Sequence, residues 1–188
     1  MTDILIVGVG GQGTLLASRV LGRMAEKLGY DVRISEVHGM AQRGGSVVTH
    51  VRYGKQVFAP VIDDGSADVI LAFEKLEALR WMGRLKKNGS MFINSQEIAP
   101  MPVITGAEQY PADIEQRIRT VVPDAVFVDA LGLATEAGSA KAVNIVLLGV
   151  MAKHMGLDKQ AFLDAITDTV PPKFLEMNIS AFGKGYNA

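Results

Sequence analysis

Continuous aliphatic stretches alternate along this chain with stretches in which apolar positions recur every three or four residues. The first stretch, Ile4 to Val7, is uninterrupted and mostly β-branched, which is typical of a strand covered on both faces in a parallel sheet. From Leu15 to Leu28 apolar positions recur at helical spacing, and Gly29 follows where a helix-ending glycine is expected. Asp31 to Val37 then predicts a second strand, so the chain opens as a strand–turn–helix–strand unit.

The next segment has a different pattern. From Ser46 to Tyr53 apolar and polar side chains alternate, Gly54-Lys55 follows as a turn, and Gln56 to Ile62 is suited to a returning strand. This pattern predicts a β-hairpin that belongs to a second, antiparallel sheet.

The parallel pattern returns in the rest of the chain. It predicts strands over residues 68–73, 90–94 and 125–130, and helices over residues 75–85, 114–120, 142–155 and 159–169. The tail from Pro171 to Ala188 has no strong period and predicts no element. We therefore expect an α/β fold with a Rossmann-like entry, in which a central parallel sheet with helices is joined by a second antiparallel sheet or hairpin, all within a single domain of residues 1–188.

Composition narrows the classes of function. Of the 188 residues 48% are hydrophobic and 21% charged, and the formal net charge is −1, which is ordinary for a globular protein and provides no field to recruit nucleic acid or an anionic membrane. The chain has no cysteine, which excludes disulfides, a thiolate nucleophile and cysteine ligands for an iron–sulfur cluster. The three histidines are too far apart for a zinc motif, and no apolar run suits a signal peptide or a membrane span. We expect a soluble, cytoplasmic protein that binds no metal.

A glycine-rich turn joins the first strand to the first helix. Its sequence, Gly8-Val9-Gly10-Gly11-Gln12-Gly13, has the spacing G-x-G-x-x-G. Glycine permits positive φ and a close approach of the backbone to a ligand, and the helix N-terminus presents N–H groups to an anion. In a dinucleotide site an acid about 20 residues further on binds the ribose, and Glu36 stands near that position. The motif alone fits a dinucleotide site, a contact with an anion or partner chain, or close packing with nothing bound.

A second polar segment follows the second strand, with the sequence Ser35-Glu36-Val37-His38-Gly39-Met40-Ala41-Gln42-Arg43-Gly44-Gly45-Ser46. Open α/β sheets bind ligands at the carboxyl ends of their strands, where the glycine turn also lies, so we expect the two segments to face each other. Arg43 suits a carboxylate or phosphate, which a guanidinium binds through two parallel hydrogen bonds. The alternatives are that the glycine pair only starts the hairpin, that Arg43 lies in solvent, and that His38 is a structural histidine.

One polar residue, Asn144, stands in an otherwise apolar predicted helix and needs a hydrogen-bond partner if it is buried. No residue is assigned a catalytic or metal-binding role. The candidate substrate- or partner-binding residues are Gly8, Gly10, Gly11, Gln12, Gly13, Glu36, His38, Gln42, Arg43, Gly44, Gly45 and Asn144.

Together the two segments resemble the gamma-type domain of 2-oxoacid:ferredoxin oxidoreductases. The resemblance is carried by residues 4–13 and 35–47 and extends through residues 67–74 and 178–185, so it covers nearly the whole chain. Within that family, the segment from His38 to Gly45 is most like the small (beta) subunit of indolepyruvate ferredoxin oxidoreductases.

The resemblance implies a role in a larger assembly. Such assemblies oxidatively decarboxylate a 2-oxoacid, here an aryl pyruvate such as indolepyruvate, to acyl-CoA and CO₂, with CoA as cosubstrate and ferredoxin as electron acceptor. It places thiamine diphosphate, Mg and iron–sulfur clusters on the large (alpha) subunit, so this chain is expected to bind no cofactor and to be inactive alone. Because the glycine turn and the segment from His38 to Gly45 are expected at one edge of the sheet and are rich in glycine, our hypothesis is that they dock on the large subunit near its substrate or CoA channel, with Arg43 as the anion contact.

Two alternatives remain open at this stage. One is an NAD(P)- or FAD-binding oxidoreductase of the Rossmann type that uses the glycine turn and Glu36. The other is a stand-alone ligand-binding or scaffold protein, and a homodimer of the isolated chain is compatible with either.

Overall fold

The computed structural model describes residues 1–38 and 44–188, and for His38 the backbone alone. The strands are β1 (Thr2–Val9), β2 (Asp31–His38), β3 (Ser46–Gly54), β4 (Ala67–Ala72), β5 (Leu85–Asn94) and β6 (Val126–Val128). The helices are α1 (Thr14–Lys27), α2 (Lys75–Trp81), α3 (Met101–Ile104), α4 (Ile114–Val121), α5 (Ala130–Glu136), α6 (Val143–His154), α7 (Lys159–Thr169) and α8 (Leu175–Tyr186). Short 3₁₀ turns cover Met82–Arg84, Ala140–Ala142 and Pro172–Phe174.

All six strands form one mixed sheet in the order β2-β3-β1-β4-β5-β6. Strands β1, β4, β5 and β6 are parallel, and β3 lies antiparallel between β1 and β2. The α/β class and the parallel sheet with helices are therefore confirmed. The antiparallel strands, however, extend that same sheet and do not form a second one.

The predicted returning strand over Gln56 to Ile62 is wrong, because both edges of β3 are already paired with β1 and β2. Side chains bind the backbone of this segment instead. The Asp31 carboxylate accepts a hydrogen bond from the Val57 N–H at 2.9 Å, Arg52 donates to the carbonyl of Val61 at 2.8 Å, and Nδ1 of His50 accepts from the Ile62 N–H at 3.1 Å. The segment is thus held against the sheet by side-chain hydrogen bonds without joining a ladder.

Two apolar clusters lie on the two faces of the sheet. The larger contains residues of α1, α5, α6, α7 and α8, and the smaller contains residues of α2 and α4. Residues Ile4 to Val7 are at most 1% exposed, as expected for a strand covered on both faces. Helix α6 is buried on all sides over residues 143–152, because it lies between the sheet and α8.

Helix α8 was not predicted, since glycines occupy positions where an apolar period would otherwise appear. Gly149 of α6 and Gly185 of α8 let the two helix backbones touch. A Cβ on Gly149 would lie 2.3 Å from the carbonyl oxygen of Phe182, and one on Gly185 would lie 2.0 Å from that of Val146. The tail is therefore packed through its backbone as much as through its side chains.

Replacing Gly185 with Ala should destabilise the protein by about 2 kcal/mol or more, because the helices must separate to admit the methyl group. Gly183→Ala is the matched control, since it lies in the same helix with nothing within 4 Å of its added Cβ. The control should stabilise by about 0.5–1 kcal/mol through helix propensity. Urea unfolding of both variants measures the difference, and equal stability would contradict the close crossing.

The stability of the fold should fall with acidification through His50. Burial, together with the positive charges of Arg84 and Arg52, lowers the pKa of His50 below its ordinary value. Its contribution is therefore complete above the unfolded pKa of about 6.5 and is lost as the pH falls through the folded pKa.

His50→Asn is the test, since an amide oxygen can also accept the Ile62 N–H but does not titrate in this range. We expect the melting temperature of the wild type to fall more between pH 7.5 and pH 5.5 than that of the variant. Identical slopes for the two proteins would rule out His50 as the group responsible.

Candidate functional site

The glycine turn lies at the carboxyl end of β1, beside the carboxyl end of β4. After β1 the chain continues into β2 and β3, which lie on one side of β1 in the strand order, and β4 then lies on the other side of β1. The carboxyl ends of β1 and β4 therefore form the switch point at which open α/β sheets bind ligands. Gly11 and Gly13 have φ values of +98° and +83°, which glycine adopts without strain. Gly13 is also the N-cap of α1, and none of the side chains that the structure describes caps that helix.

The side chain of Gln12 fills the space beside Gly8. Its Oε1 accepts from the Val9 N–H at 2.7 Å, and its Nε2 donates to the carbonyl of Phe73, just after β4, at 2.9 Å. A Cβ on Gly8 would lie 2.8 Å from that Oε1 and 3.1 Å from the Cβ of Phe73. The turn is thus bound closely by the protein's own amide, in the crevice where a Rossmann protein holds a dinucleotide.

The polar segment that follows β2 contacts the glycine turn through the residues just before β3. The Gly10 N–H donates to the carbonyl of Gly45 at 2.9 Å, and Gly44 has a φ of +79°. Gln42 and Arg43 lie outside the described residues. His38 ends β2, where its backbone pairs with Val47. The expectation that the two segments face each other therefore holds for the part that the structure describes.

A buried carboxylate that was not predicted from the sequence binds the start of β3, where the second segment ends. Glu77 of α2 is 1% exposed and accepts hydrogen bonds from the Ser46 hydroxyl and from Nη1 of Arg80, the latter at 2.6 Å. No pattern distinguishes Glu77 from a solvent-facing helical glutamate, because its role depends on a strand that is distant in sequence. Its charge is balanced by Arg80, whose side chain is 47% exposed.

Glu36 lies on β2, separated from β1 by the whole of β3. Its Oε2 lies 3.4 Å from the hydroxyl of Thr14 and 3.2 Å from that of Thr49, and both hydroxyls donate to it. In a Rossmann fold the ribose-binding acid ends the strand next to the first one. The carboxylate of Glu36 here links β2 and β3 to the start of α1.

Asn144 is 2% exposed, and both polar atoms of its side chain have a hydrogen-bond partner. Its Nδ2 donates to the carbonyl of Gly13 at 3.1 Å, and its Oδ1 accepts from the Ile145 N–H at 2.9 Å. A Cβ on Gly13 would lie 2.7 Å from that Nδ2. The buried amide therefore fastens the glycine turn to the start of α6.

An open cleft of about 540 Å³ lies beside the turn. Helices α1 and α6 both begin at it, so their partially positive N-termini and the Lys141 ammonium favour an anionic or polar group there. Lys141 was not among the residues predicted from the sequence to lie at this site. The lining residues are Gly11, Gln12, Gly13, Leu16, Gln96, Ile98, Leu131, Ala140, Lys141, Val143 and Asn144.

Two features are absent from residues 1–38 and 44–188. No group of three or more histidine, aspartate or glutamate side chains in these ranges is arranged to hold a metal ion. No helix in the same ranges has the length and apolar character needed to cross a bilayer.

Comparisons with known proteins agree over nearly the full length of the chain. Subunit IorB of the indolepyruvate oxidoreductase of Thermococcus kodakarensis is 42% identical over 99% of this chain and 95% of its own, and IorB of Archaeoglobus fulgidus is 41% identical over 98% and 94%. The solved structure of a keto/oxoacid ferredoxin oxidoreductase gamma subunit from Geobacter sulfurreducens shares the fold, with a TM-score of 0.73 at 23% identity over 100% of this chain and 97% of that one. The family model described as pyruvate ferredoxin/flavodoxin oxidoreductase matches residues 3–188. The chain belongs to the pyruvate ferredoxin/flavodoxin oxidoreductase family.

Proposed function

We propose that this chain is the small, cofactor-free subunit of a cytoplasmic 2-oxoacid:ferredoxin oxidoreductase that acts on indolepyruvate or a related aryl pyruvate. The observation that carries the proposal is the match to IorB subunits along both whole chains, at up to 42% identity. The single domain of residues 1–188 would complete an assembly that forms acyl-CoA and CO₂ and passes electrons to ferredoxin.

The cofactors of the proposed assembly would reside on a large (alpha) subunit. This chain has no cysteine to ligate an iron–sulfur cluster. Thiamine diphosphate with its Mg, and the clusters, are therefore proposed for the partner, with CoA as cosubstrate. When bound there, thiamine diphosphate supplies the carbanion chemistry that decarboxylation needs. The isolated chain would then be inactive, either as a monomer or as a homodimer.

The contribution of this chain would be an edge that docks beside the partner's substrate or CoA channel. The Gly10–Gly45 hydrogen bond joins the two glycine-rich segments at that edge, next to the cleft that contains Lys141. Gly8–Gly13, Glu36, His38, Gln42–Gly45 and Asn144 are the residues proposed for this role. Arg43 is proposed as the contact for an anionic group of the substrate or of CoA, because a guanidinium binds carboxylate and phosphate in two parallel hydrogen bonds.

Reconstitution with the large subunit from the same organism tests the assignment. The isolated chain should be inactive, and the complex should reduce ferredoxin with indolepyruvate and CoA. Failure to form a complex would reject the proposed function and favour a stand-alone protein.

Within that complex, Arg43→Ala should raise the KM for the oxoacid or for CoA by about tenfold, the effect of losing a charge-assisted hydrogen bond of about 1.5 kcal/mol. Arg117→Ala is the control, since Arg117 lies on α4 with a side chain that is 55% exposed. Unchanged complex formation and unchanged KM values in Arg43→Ala would remove Arg43 from the site and leave the subunit role in place.

Dinucleotides should not stabilise the chain. The Gln12 amide occupies the crevice beside Gly8, and Glu36 is a full strand away from β1. We expect no saturable rise in melting temperature with millimolar NAD⁺, NADP⁺ or FAD, measured by thermal shift. A saturable rise would instead favour the Rossmann-type oxidoreductase.

A further inference from the structure

One buried carboxylate holds both ends of a surface segment. Glu74, at the carboxyl end of β4, is 1% exposed, and its Oε2 accepts from the Glu77 N–H at 2.8 Å. Its Oε1 accepts from the Ile98 N–H at 3.1 Å and from the Tyr110 hydroxyl. Burial and the adjoining carboxylate raise the pKa of Tyr110, so its hydroxyl remains a donor at ordinary pH. We call residues 98–110 the arm.

The arm has a defined shape between these two attachment points. It contains the short helix α3, and the turn after that helix is closed by hydrogen bonds from the N–H groups of Thr105 to Met101 at 2.9 Å and of Ala107 to Pro102 at 2.8 Å. Gly106 follows the helix with a φ of +76°. Hydrogen bonds between backbone groups of the arm itself therefore hold this turn closed.

The tip of the arm is apolar, uncharged and exposed. Met101 and Ile104 are 66% and 65% exposed. No charged residue occurs from Ile98 to Ala107, in a chain of which 21% is charged. Two large apolar side chains held in solvent three residues apart, in an uncharged stretch, form a candidate interaction surface.

The arm also continues the edge that carries the glycine turn. It follows the carboxyl end of β5, and Gln96 and Ile98 at its base line the same cleft as Gly11 and Gly13. A protein that docks on the glycine turn would therefore also contact the base of the arm.

We propose that the arm is a docking element that places Met101 and Ile104 in an uncharged apolar groove of the large subunit, an inference that rests on the proposed function. Residues 98–107 of the arm carry no charge, which favours an apolar groove, since a charged groove would lose its hydration there with no counter-charge. A second copy of this chain is the weaker occupant. The four-residue helix cannot alone provide the roughly 800 Å² per partner that a stable interface buries, whereas a large subunit docked beside the glycine turn adds that adjoining edge to the contact.

The test compares two double variants. Met101→Lys/Ile104→Lys places charges in the arm. The control, Phe58→Lys/Val121→Lys, places the same charges at two other exposed apolar side chains, which are 86% and 63% exposed. Phe58 follows β3 and Val121 precedes β6, so both lie at the edge of the sheet opposite the carboxyl ends of β1 and β4. Binding of the full-length variants to the large subunit is measured by calorimetry, and folding is checked by the melting temperature.

We expect the arm variant to bind at least about fiftyfold more weakly, as for the loss of two buried apolar anchors. We expect the control to change by less than about threefold, as for charges at a surface outside the interface, and both melting temperatures to remain near that of the wild type. If the wild type forms the complex and the arm variant binds as tightly, the docking role is overturned while the proposed function stands. Equal weakening by both variants would show a general charge effect and would also overturn it.

Two further outcomes separate the remaining explanations. If the wild-type chain does not bind the large subunit, the proposed function fails and the inference fails with it. Light scattering of the isolated proteins tests the second copy as occupant. A wild-type dimer that the arm variant converts to a monomer would assign the arm to self-association and overturn the proposal.

Discussion

The amide of Gln12 determines how the carboxyl edge of the sheet is built. Strands β1 and β4 are parallel neighbours, and beyond the ends of their ladder each leaves a backbone group that needs a partner. The Gln12 amide accepts from the Val9 N–H and donates to the carbonyl of Phe73, which also accepts from Nδ2 of Asn94 at 3.1 Å, so the Gln12 side chain bridges the gap between the strands. With that gap closed, the backbone of the glycine turn is held close enough to bind Gly45 and Asn144.

The local sequence was sufficient to predict an element where interactions between neighbouring residues determine its bounds. The end of α1 was predicted from Gly29, and the structure shows why: the Gly29 N–H binds the carbonyl of Glu26 at 2.9 Å and the Tyr30 N–H binds that of Ala25 at 3.0 Å. Helix α7 has the predicted bounds, 159–169. The segment over 56–62 and helix α8 could not be derived in this way, because groups distant in sequence decide them: the carboxylate of Asp31 in one case and the backbone of α6 in the other.

The same distinction applies to the site. The sequence indicated that two glycine-rich segments meet, and the Gly10–Gly45 hydrogen bond joins them. The sequence also indicated the family, because a motif is recognised from the order of its residues and does not require the contacts to be known. The contacts themselves did not follow from it. Gln12 is a variable position of the glycine motif, and its partner carbonyl lies 61 residues away. The buried charge of Glu77 depends likewise on a hydroxyl 31 residues away.

The attachment of the arm at a single carboxylate has a consequence for how such a chain can diverge. Glu74 caps α2 and holds Ile98 and Tyr110 at once, so a change at residue 74 disturbs three segments together and is hard to accept. Substitutions between the two attachment points do not disturb these three segments, since the backbone hydrogen bonds of the α3 turn are made within the arm. Selection can therefore alter the tip freely while the sheet stays fixed, which allows one inherited frame to acquire new binding preferences by small steps.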